Sequence, residues 1–422
     1  MAALHRRQLL LGAASLAAPA VVRAQGAGAR VVVVGGGFGG ATVARYLRTW
    51  APQVQVTLVE PADRFFTCPF SNHYLAGLRS WDSIGHGYDG LRATGVQVVH
   101  ARAEDVDGQR RSLRLHTGQE LRWDRLVLSP GVDMRWDALE GYDRAAAELA
   151  PHAWKAGAQT LLLRRQLQAM PDGGRFVMVI PDNPFRCPPG PYERASLVAH
   201  YLRQHKPRSK LLLLDAKNNF SKKALFLQGW KALYGDMLEW VSLAQDGQVV
   251  RVDARALEVE TAFGTHHRAD VLNVIPPQKA GLIAERAGVT DASGWAPVRG
   301  ENLASQRVAG IHVLGDAALA GPIPKSGFAA NNQGKVVAAA IAAELSDKTP
   351  PTAWYANTCY SLLAPGYGIS VSGVYRVQQG RLADLPHSVG VSPLDAPAGH
   401  RAAEANHGAD WYAAISADIW DR

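Results

Sequence analysis

The chain has 422 residues, 47% hydrophobic and 19% charged, with 41 glycines; this composition buries a large core in two or three domains and excludes a disordered chain. Lys and Arg number 45 against 37 Asp and Glu, and the first 24 residues carry three of those arginines and no acid. The remaining balance is mildly basic and has no concentrated basic run, which excludes nucleic acid as a partner.

The N-terminus has the three parts of an export signal. Arg6-Arg7 precede the apolar run Leu9 to Val22, and Val22-Arg23-Ala24 is a small-residue cleavage site. The run is shorter than the ~20 residues of a membrane span, which disfavours an anchor. The paired arginines imply twin-arginine export of a folded, cofactor-loaded protein to the periplasm.

The next element is the apolar strand Arg30 to Val34, followed by Gly35-Gly36-Gly37-Phe38-Gly39-Gly40 and a helix. Gly35 permits a tight turn, Gly37 lets the backbone approach a pyrophosphate, and Gly40 lets the helix pack on the strand, while the helix N-terminus attracts phosphate. A second strand, Val54 to Val59, ends in Glu60, twenty residues after Gly40, where an acid binds an adenosine ribose.

Farther along, Arg175 to Ile180 is a short β-branched run bounded by Gly174 and Pro181, hence a buried strand. A helix through Arg203 and the strand Lys210 to Asp215 complete a second βαβ unit. Its first turn is Pro181-Asp182-Asn183-Pro184-Phe185-Arg186-Cys187-Pro188-Pro189-Gly190-Pro191-Tyr192-Glu193 in place of a glycine fingerprint. Prolines lack the N–H groups that cradle a pyrophosphate, so this unit is expected to have kept the architecture and lost a nicotinamide cofactor. Cys187 then sits on a stiff loop at a strand's carboxyl end, where α/β folds bind ligands. His266-His267 reads as a solvated turn, and no histidine cluster has metal spacing.

The strand Arg307 to Leu314 ends in Gly315-Asp316, and the turn Pro324-Lys325-Ser326-Gly327 precedes a helix expected over 331–339. In flavoproteins with two dinucleotide domains such a return strand brings an aspartate to the ribityl chain, which favours FAD over NAD. The chain is accordingly expected to be α/β, with two Rossmann-like, glutathione-reductase-like domains and a smaller C-terminal one. The boundaries are 25–150 and 290–350 for the FAD domain, 151–289 for the inserted domain, and 351–422 for the domain that caps the flavin. Ser370 to Val377 alternates as a strand, whereas 400–422 is expected to be broken by Gly408 and, with Asp410, Asp418 and Asp421, to form no membrane-dipping helix.

Three cysteines in an exported protein leave one without a partner. Two of them can form either a structural staple or a redox bridge, and the third is either a buried thiol or a point of covalent attachment. Glu193, in the first turn of its helix, is either a proton shuttle or a residue stabilised by the helix dipole. Lys325 is either a positive charge beside a reduced flavin or a surface lysine. No Cys-x-x-Cys-His occurs, so the chain carries no c-type haem itself.

Four segments together give the chain a family resemblance. Phe65-Phe66-Thr67-Cys68-Pro69-Phe70-Ser71-Asn72, Pro184 to Glu193, Pro324-Lys325-Ser326-Gly327-Phe328 and Asn357-Thr358-Cys359-Tyr360-Ser361-Leu362-Leu363 resemble the flavin subunit of flavocytochrome c sulfide dehydrogenase. That group belongs with the disulfide-reductase-like flavoproteins, which include sulfide:quinone oxidoreductases. The resemblance implies FAD tied through its 8α carbon to Cys68, a redox-active Cys187–Cys359 disulfide, and an aromatic C-terminal segment, Trp411 and Tyr412, near the flavin. It also implies sulfide as substrate and a c-type cytochrome, as subunit or soluble protein, as acceptor, with no stable membrane insertion. Two other functions remain open: a quinone-reducing sulfide oxidase, and an accessory flavoprotein that reactivates a thiol-bearing sulfur carrier.

Overall fold

The computed structural model describes residues 28–421, so the expected export signal lies outside the described residues. Five parallel strands form the first sheet, in the spatial order Ile311–Val313, Arg125–Leu128, Arg30–Val34, Gln55–Val59 and Gln97–Val99. The order reverses beside Arg30–Val34, which puts a ligand crevice at that strand's carboxyl end. The turn there needs its glycines. Gly35 has φ +100° and donates its N–H to Val59 O at 2.9 Å, and a Cβ at Gly40 would lie 2.0 Å from Gly35 O. The helix Phe38–Trp50 can therefore start directly from the turn.

The second sheet repeats this plan with Leu238–Val241, Lys210–Asp215, Arg175–Ile180 and Val271–Val274, all parallel. Phe176, Met178 and Ile180 enter one apolar cluster, while Val177 and Val179 enter another on the opposite face. That is why the strand reads as an unbroken apolar run: both faces are covered by helices and loops. Each unit also carries a three-stranded antiparallel ribbon before its fourth strand. In the second unit the ribbon includes His266–Arg268, so the histidine pair lies in an edge strand and not in the expected turn.

The third layer is the antiparallel pair Trp354–Ala364 and Tyr367–Gln378, extended by Arg381–Asp384. Across it lies the helix Ala398–Ile419, which runs unbroken through Gly408, contrary to the expected break. A Cβ at Gly408 would be 3.2 Å from Tyr360 Cβ, so the glycine serves close packing of helix on strand. The end of this helix reaches the first domain: Trp420 Nε1 donates to Gly36 O at 3.2 Å, and its ring stacks on His86 and Phe65. The helix expected over 331–339 is longer, Gly327–Glu344, because Ser326 caps it by accepting the Ala329 N–H at 3.0 Å.

Candidate active site

A cavity of about 600 Å³ opens where the carboxyl-end loops of both parallel sheets meet the strand Trp354–Ala364. Gly35, Gly37, Glu60, Cys68, Cys187, Glu193, Gly315, Asp316, Lys325, Gly327 and Cys359 all line it. Gly40 lies outside it, packed beneath the turn. Trp411 also lines the cavity, whereas Tyr412 is buried behind it, with its hydroxyl 2.8 Å from Thr67 Oγ1 and 3.1 Å from His86 Nε2.

One half of the cavity has the polar groups a dinucleotide requires. Glu60 accepts the N–H groups of Gly36 at 2.8 Å and Ala62 at 3.1 Å, which sets its carboxylate at the glycine turn. Asp316 uses Oδ2 to accept from Arg186 Nε at 2.6 Å, and its buried Oδ1 has no partner, so it can accept a hydroxyl. Lys325 is no surface lysine: Nζ donates to the carbonyls of Asp316 at 2.8 Å and Ala318 at 2.7 Å and lies 4.0 Å from the Trp295 ring centre. Burial brings its pKa down to about 8, with the Asp316 carboxylate working in the opposite direction.

Arg186 joins this half to the sulfurs, and its role was not evident from sequence. Besides Asp316 it donates through Nη1 to Cys68 Sγ at 3.2 Å and to Trp154 O at 3.3 Å. Burial disfavours the guanidinium charge, but Cys68 and Asp316 outweigh that and hold its pKa above the ordinary value.

The other half holds the remaining cysteines. Cys187 adopts φ +55°, and its N–H donates to Lys325 O at 2.8 Å, so the proline loop is fastened to the loop that precedes the helix Gly327–Glu344. The expected bond to Cys359 is not formed: all three cysteines are free thiols. The Cys187 sulfur is turned onto Gly190, 2.9 Å from where a Cβ would stand, whereas the Cys359 sulfur lies 3.3 Å from Asn357 Nδ2. Burial pushes the Cys187 thiol well up, with further increments from Cys359 and Glu193.

Glu193 faces both. Its carboxylate accepts from Asn72 Nδ2 at 2.9 Å and from the Leu362 N–H at 3.0 Å. Burial raises its pKa, and those two hydrogen bonds with Lys222 and Arg194 restrain the rise. Sequence reading missed this support. Arg194, fully buried, donates to Asn72 Oδ1 and Asn273 Oδ1, each at 3.0 Å, and Lys222 donates to Cys359 O at 2.9 Å and Ser361 Oγ at 2.8 Å. Burial lowers the pKa of Lys222 to about 8.

A doubly wound pair of dinucleotide folds that closes over a glycine turn, an orphaned aspartate oxygen and three thiols defines a thiol-bearing flavoprotein of the disulfide-reductase architecture. Three family models match: pyridine nucleotide-disulphide oxidoreductase over residues 29–171, sulfide dehydrogenase (flavocytochrome c) flavoprotein chain, central, over 160–276, and flavocytochrome c sulphide dehydrogenase, flavin-binding, over 351–420. The chain is 70% identical over 43 residues to the flavoprotein chain of sulfide dehydrogenase (flavocytochrome c) from Chlorobaculum thiosulfatiphilum, covering 10% of this chain and 90% of that protein. It therefore belongs to the family of flavocytochrome c sulfide dehydrogenase flavoprotein chains. The flavin is FAD, and the residues described above fit it.

More distant likenesses follow the fold. The mitochondrial sulfide:quinone oxidoreductase of Mus musculus is 24% identical over 308 residues, covering 68% of this chain and 65% of that protein. The solved sulfide:quinone oxidoreductase of Aquifex aeolicus superposes with a TM-score of 0.71 at 16% identity, covering 93% of each chain. Putidaredoxin reductase, solved in its covalent complex with putidaredoxin, gives a TM-score of 0.65 at 19% identity, also covering 93% of each.

Proposed function

We propose that this protein is an FAD-dependent sulfide:cytochrome c oxidoreductase in which Cys187 and Cys359 form a redox pair and Cys68 is the covalent tether of the flavin. The observation that carries this reading is that both members of the pair line one chamber with Glu193, the glycine turn and Asp316. In the oxidised pair, HS⁻ attacks one sulfur of the bridge. A new S–S bond forms, the old one breaks, and the products are a persulfide on one cysteine and a thiolate on the other. Glu193, held by Asn72 and the Leu362 N–H, takes the proton of incoming H₂S so that HS⁻ is the attacking species; a second HS⁻ then takes the outer sulfur of the persulfide, leaving as HSSH and freeing the second thiolate. Gly35, Gly37, Glu60 and Asp316 would hold the nucleotide, and Lys325 would set a positive charge near it. Bound there, FAD would supply an acceptor for the electron pair given up when the bridge re-forms and a donor of single electrons to a haem protein.

The partner in this reading is a c-type cytochrome, as a subunit or a soluble protein, and the place of reaction is the periplasm, reached by twin-arginine export. The likeness to mouse and Aquifex sulfide:quinone oxidoreductases supports a second reading with quinone as acceptor. Among the described residues no helix is long and apolar enough to cross a membrane. Steady-state assays with sulfide and either cytochrome c or a soluble quinone separate the two: rapid cytochrome reduction with negligible quinone reduction is expected. The converse overturns the cytochrome assignment.

A further inference from the structure

Along the buried face of the strand Trp354–Ala364, Asn357, Cys359 and Ser361 occupy every second position. Both neighbours of the cysteine are themselves anchored. Ser361 Oγ accepts from Lys222 Nζ at 2.8 Å, and Asn357 Oδ1 accepts from Ser326 Oγ at 2.5 Å. Ser326 Oγ in turn accepts the Ala329 N–H at 3.0 Å as the cap of the helix Gly327–Glu344.

A hydroxyl has a single proton. In the arrangement found, Ser326 gives that proton to Asn357 Oδ1 while it accepts the Ala329 N–H, and the amide nitrogen faces Cys359 Sγ at 3.3 Å. The orientation of the amide follows from the network in which it sits. An N–H donor stabilises a sulfur that carries negative charge more than it stabilises a thiol. Cys187 has no counterpart: among the described residues its sulfur has no hydrogen-bond donor, and only its backbone groups are bonded, to Lys325 O and to the Gly190 N–H.

We propose that Asn357 is a catalytic residue that holds its amide N–H on the Cys359 sulfur and stabilises its thiolate, and that Ser326 is the positioning residue that keeps the amide so turned. The inference deepens the sulfide-oxidation reading and rests on its cysteine pair. The other groups that face Cys359 are Lys222 from the start of the helix Lys223–Leu233, Glu193 from the helix Gly190–His205, Cys187 from the proline loop, and Tyr375 from the adjoining strand. Burial raises the Cys359 pKa and Glu193 adds to the rise, whereas Lys222, Asn357 and the Ser326 hydroxyl oppose it.

The test uses the flavin-loaded Cys187→Ser protein, reduced and trapped with methyl methanethiosulfonate over a pH series, with modification at Cys359 read by peptide mass. Asn357→Leu and Ser326→Ala should raise the midpoint of the trapping profile by about one to two pH units, the scale of a lost hydrogen bond to a charged group. Asn357→Asp should raise it further, and Ser326→Thr should restore the parental midpoint. A parental midpoint in folded Asn357→Leu overturns the proposal whatever Ser326→Ala does, because the Ser326 hydroxyl also acts on the Cys359 sulfur directly; if Asn357→Leu fails to fold, the smaller Asn357→Ala decides in its place. Because the thiol itself is read, a shifted midpoint in a protein without sulfide turnover upholds this inference while overturning the reading on which it rests.

Discussion

Arg186 and Asp316 meet across 130 positions of sequence, Nε to Oδ2 at 2.6 Å, and the same guanidinium reaches Cys68 Sγ at 3.2 Å. The pair is largely withdrawn from solvent, with side-chain exposures of 17% and 14%. One side chain thus fixes three loops: the one that bears the expected flavin tether, the proline loop, and the turn after the return strand.

Arg186→Gln should consequently reduce covalent flavin attachment at Cys68 from nearly complete to a minor fraction, with Arg186→Lys intermediate because an ammonium cannot present the same planar fork. The mass of the denatured protein checks this through the increment of one FAD. An unchanged increment in Arg186→Gln would remove the arginine from the attachment site.

NADH should fail to bleach the flavin. Asp215, at the carboxyl end of the second strand of the inserted unit, stands where Glu60 stands in the first. It is fully buried and accepts from Tyr192 Oη at 2.7 Å, Lys217 Nζ at 2.6 Å and Trp240 Nε1 at 3.0 Å. An acid so engaged has no approach for a ribose, and the adjoining turn offers prolines in place of N–H groups. Stoichiometric reduction by NADH within seconds, followed by absorbance of the flavin, would contradict this.

The first strand, its turn and its helix were legible because a positive φ at Gly35 and a 2.0 Å approach to Gly40 leave glycine no substitute. The cysteines were legible as outliers in otherwise ordinary loops. Arg186, Asn72, Arg194 and Lys222 were not, since what matters about them is contact across long separations: Asn72 meets Glu193 121 positions away, and Lys222 meets Cys359 O 137 positions away. Local spacing carries no trace of such meetings. Gly408 misled for a related reason, because intrinsic propensity makes glycine a helix breaker unless a neighbour such as Tyr360 needs the space. The early start of the helix at Gly327 could have been found, as Ser326 is an ordinary N-cap residue directly before it.

The pH profile of kcat for sulfide should have an acidic limb that belongs to Glu193. Burial raises its pKa, so the carboxylate that accepts the proton is lost at a higher pH than an ordinary Glu near ~4.3 would be. Activity therefore falls as pH falls through the raised value and is full above it. Glu193→Gln should lower kcat about 10²- to 10⁴-fold and abolish that limb, leaving only ionisations of the substrate. A retained limb in the Gln variant would assign it to another group.

Gly368→Val should loosen the C-terminal helix. A Cβ at Gly368 would lie 2.3 Å from Ala405 N and 2.6 Å from Glu404 C, both backbone atoms of the helix Ala398–Ile419 that cannot yield separately. Overpacking of this kind costs about 1–3 kcal/mol or more. Thermal unfolding of the flavin-loaded protein should show a Tm several degrees below the parent; an equal Tm would mean that strand and helix separate without cost.

The central claim is that Cys187 and Cys359 do chemistry and not merely stapling, and rapid mixing of the folded, flavin-loaded Cys359→Ser protein with sulfide tests it most directly. A structural bridge would cost about 2–5 kcal/mol of stability on removal while folded molecules kept their activity. A redox bridge predicts that the variant still accepts electrons from dithionite but is reduced by sulfide orders of magnitude more slowly than the parent, because the electrophilic sulfur is gone. Cys187→Ser should match it, and the double variant should be little worse than either, as expected of two groups that act as one unit. Reduction of folded Cys359→Ser by sulfide at the parental rate would contradict the account.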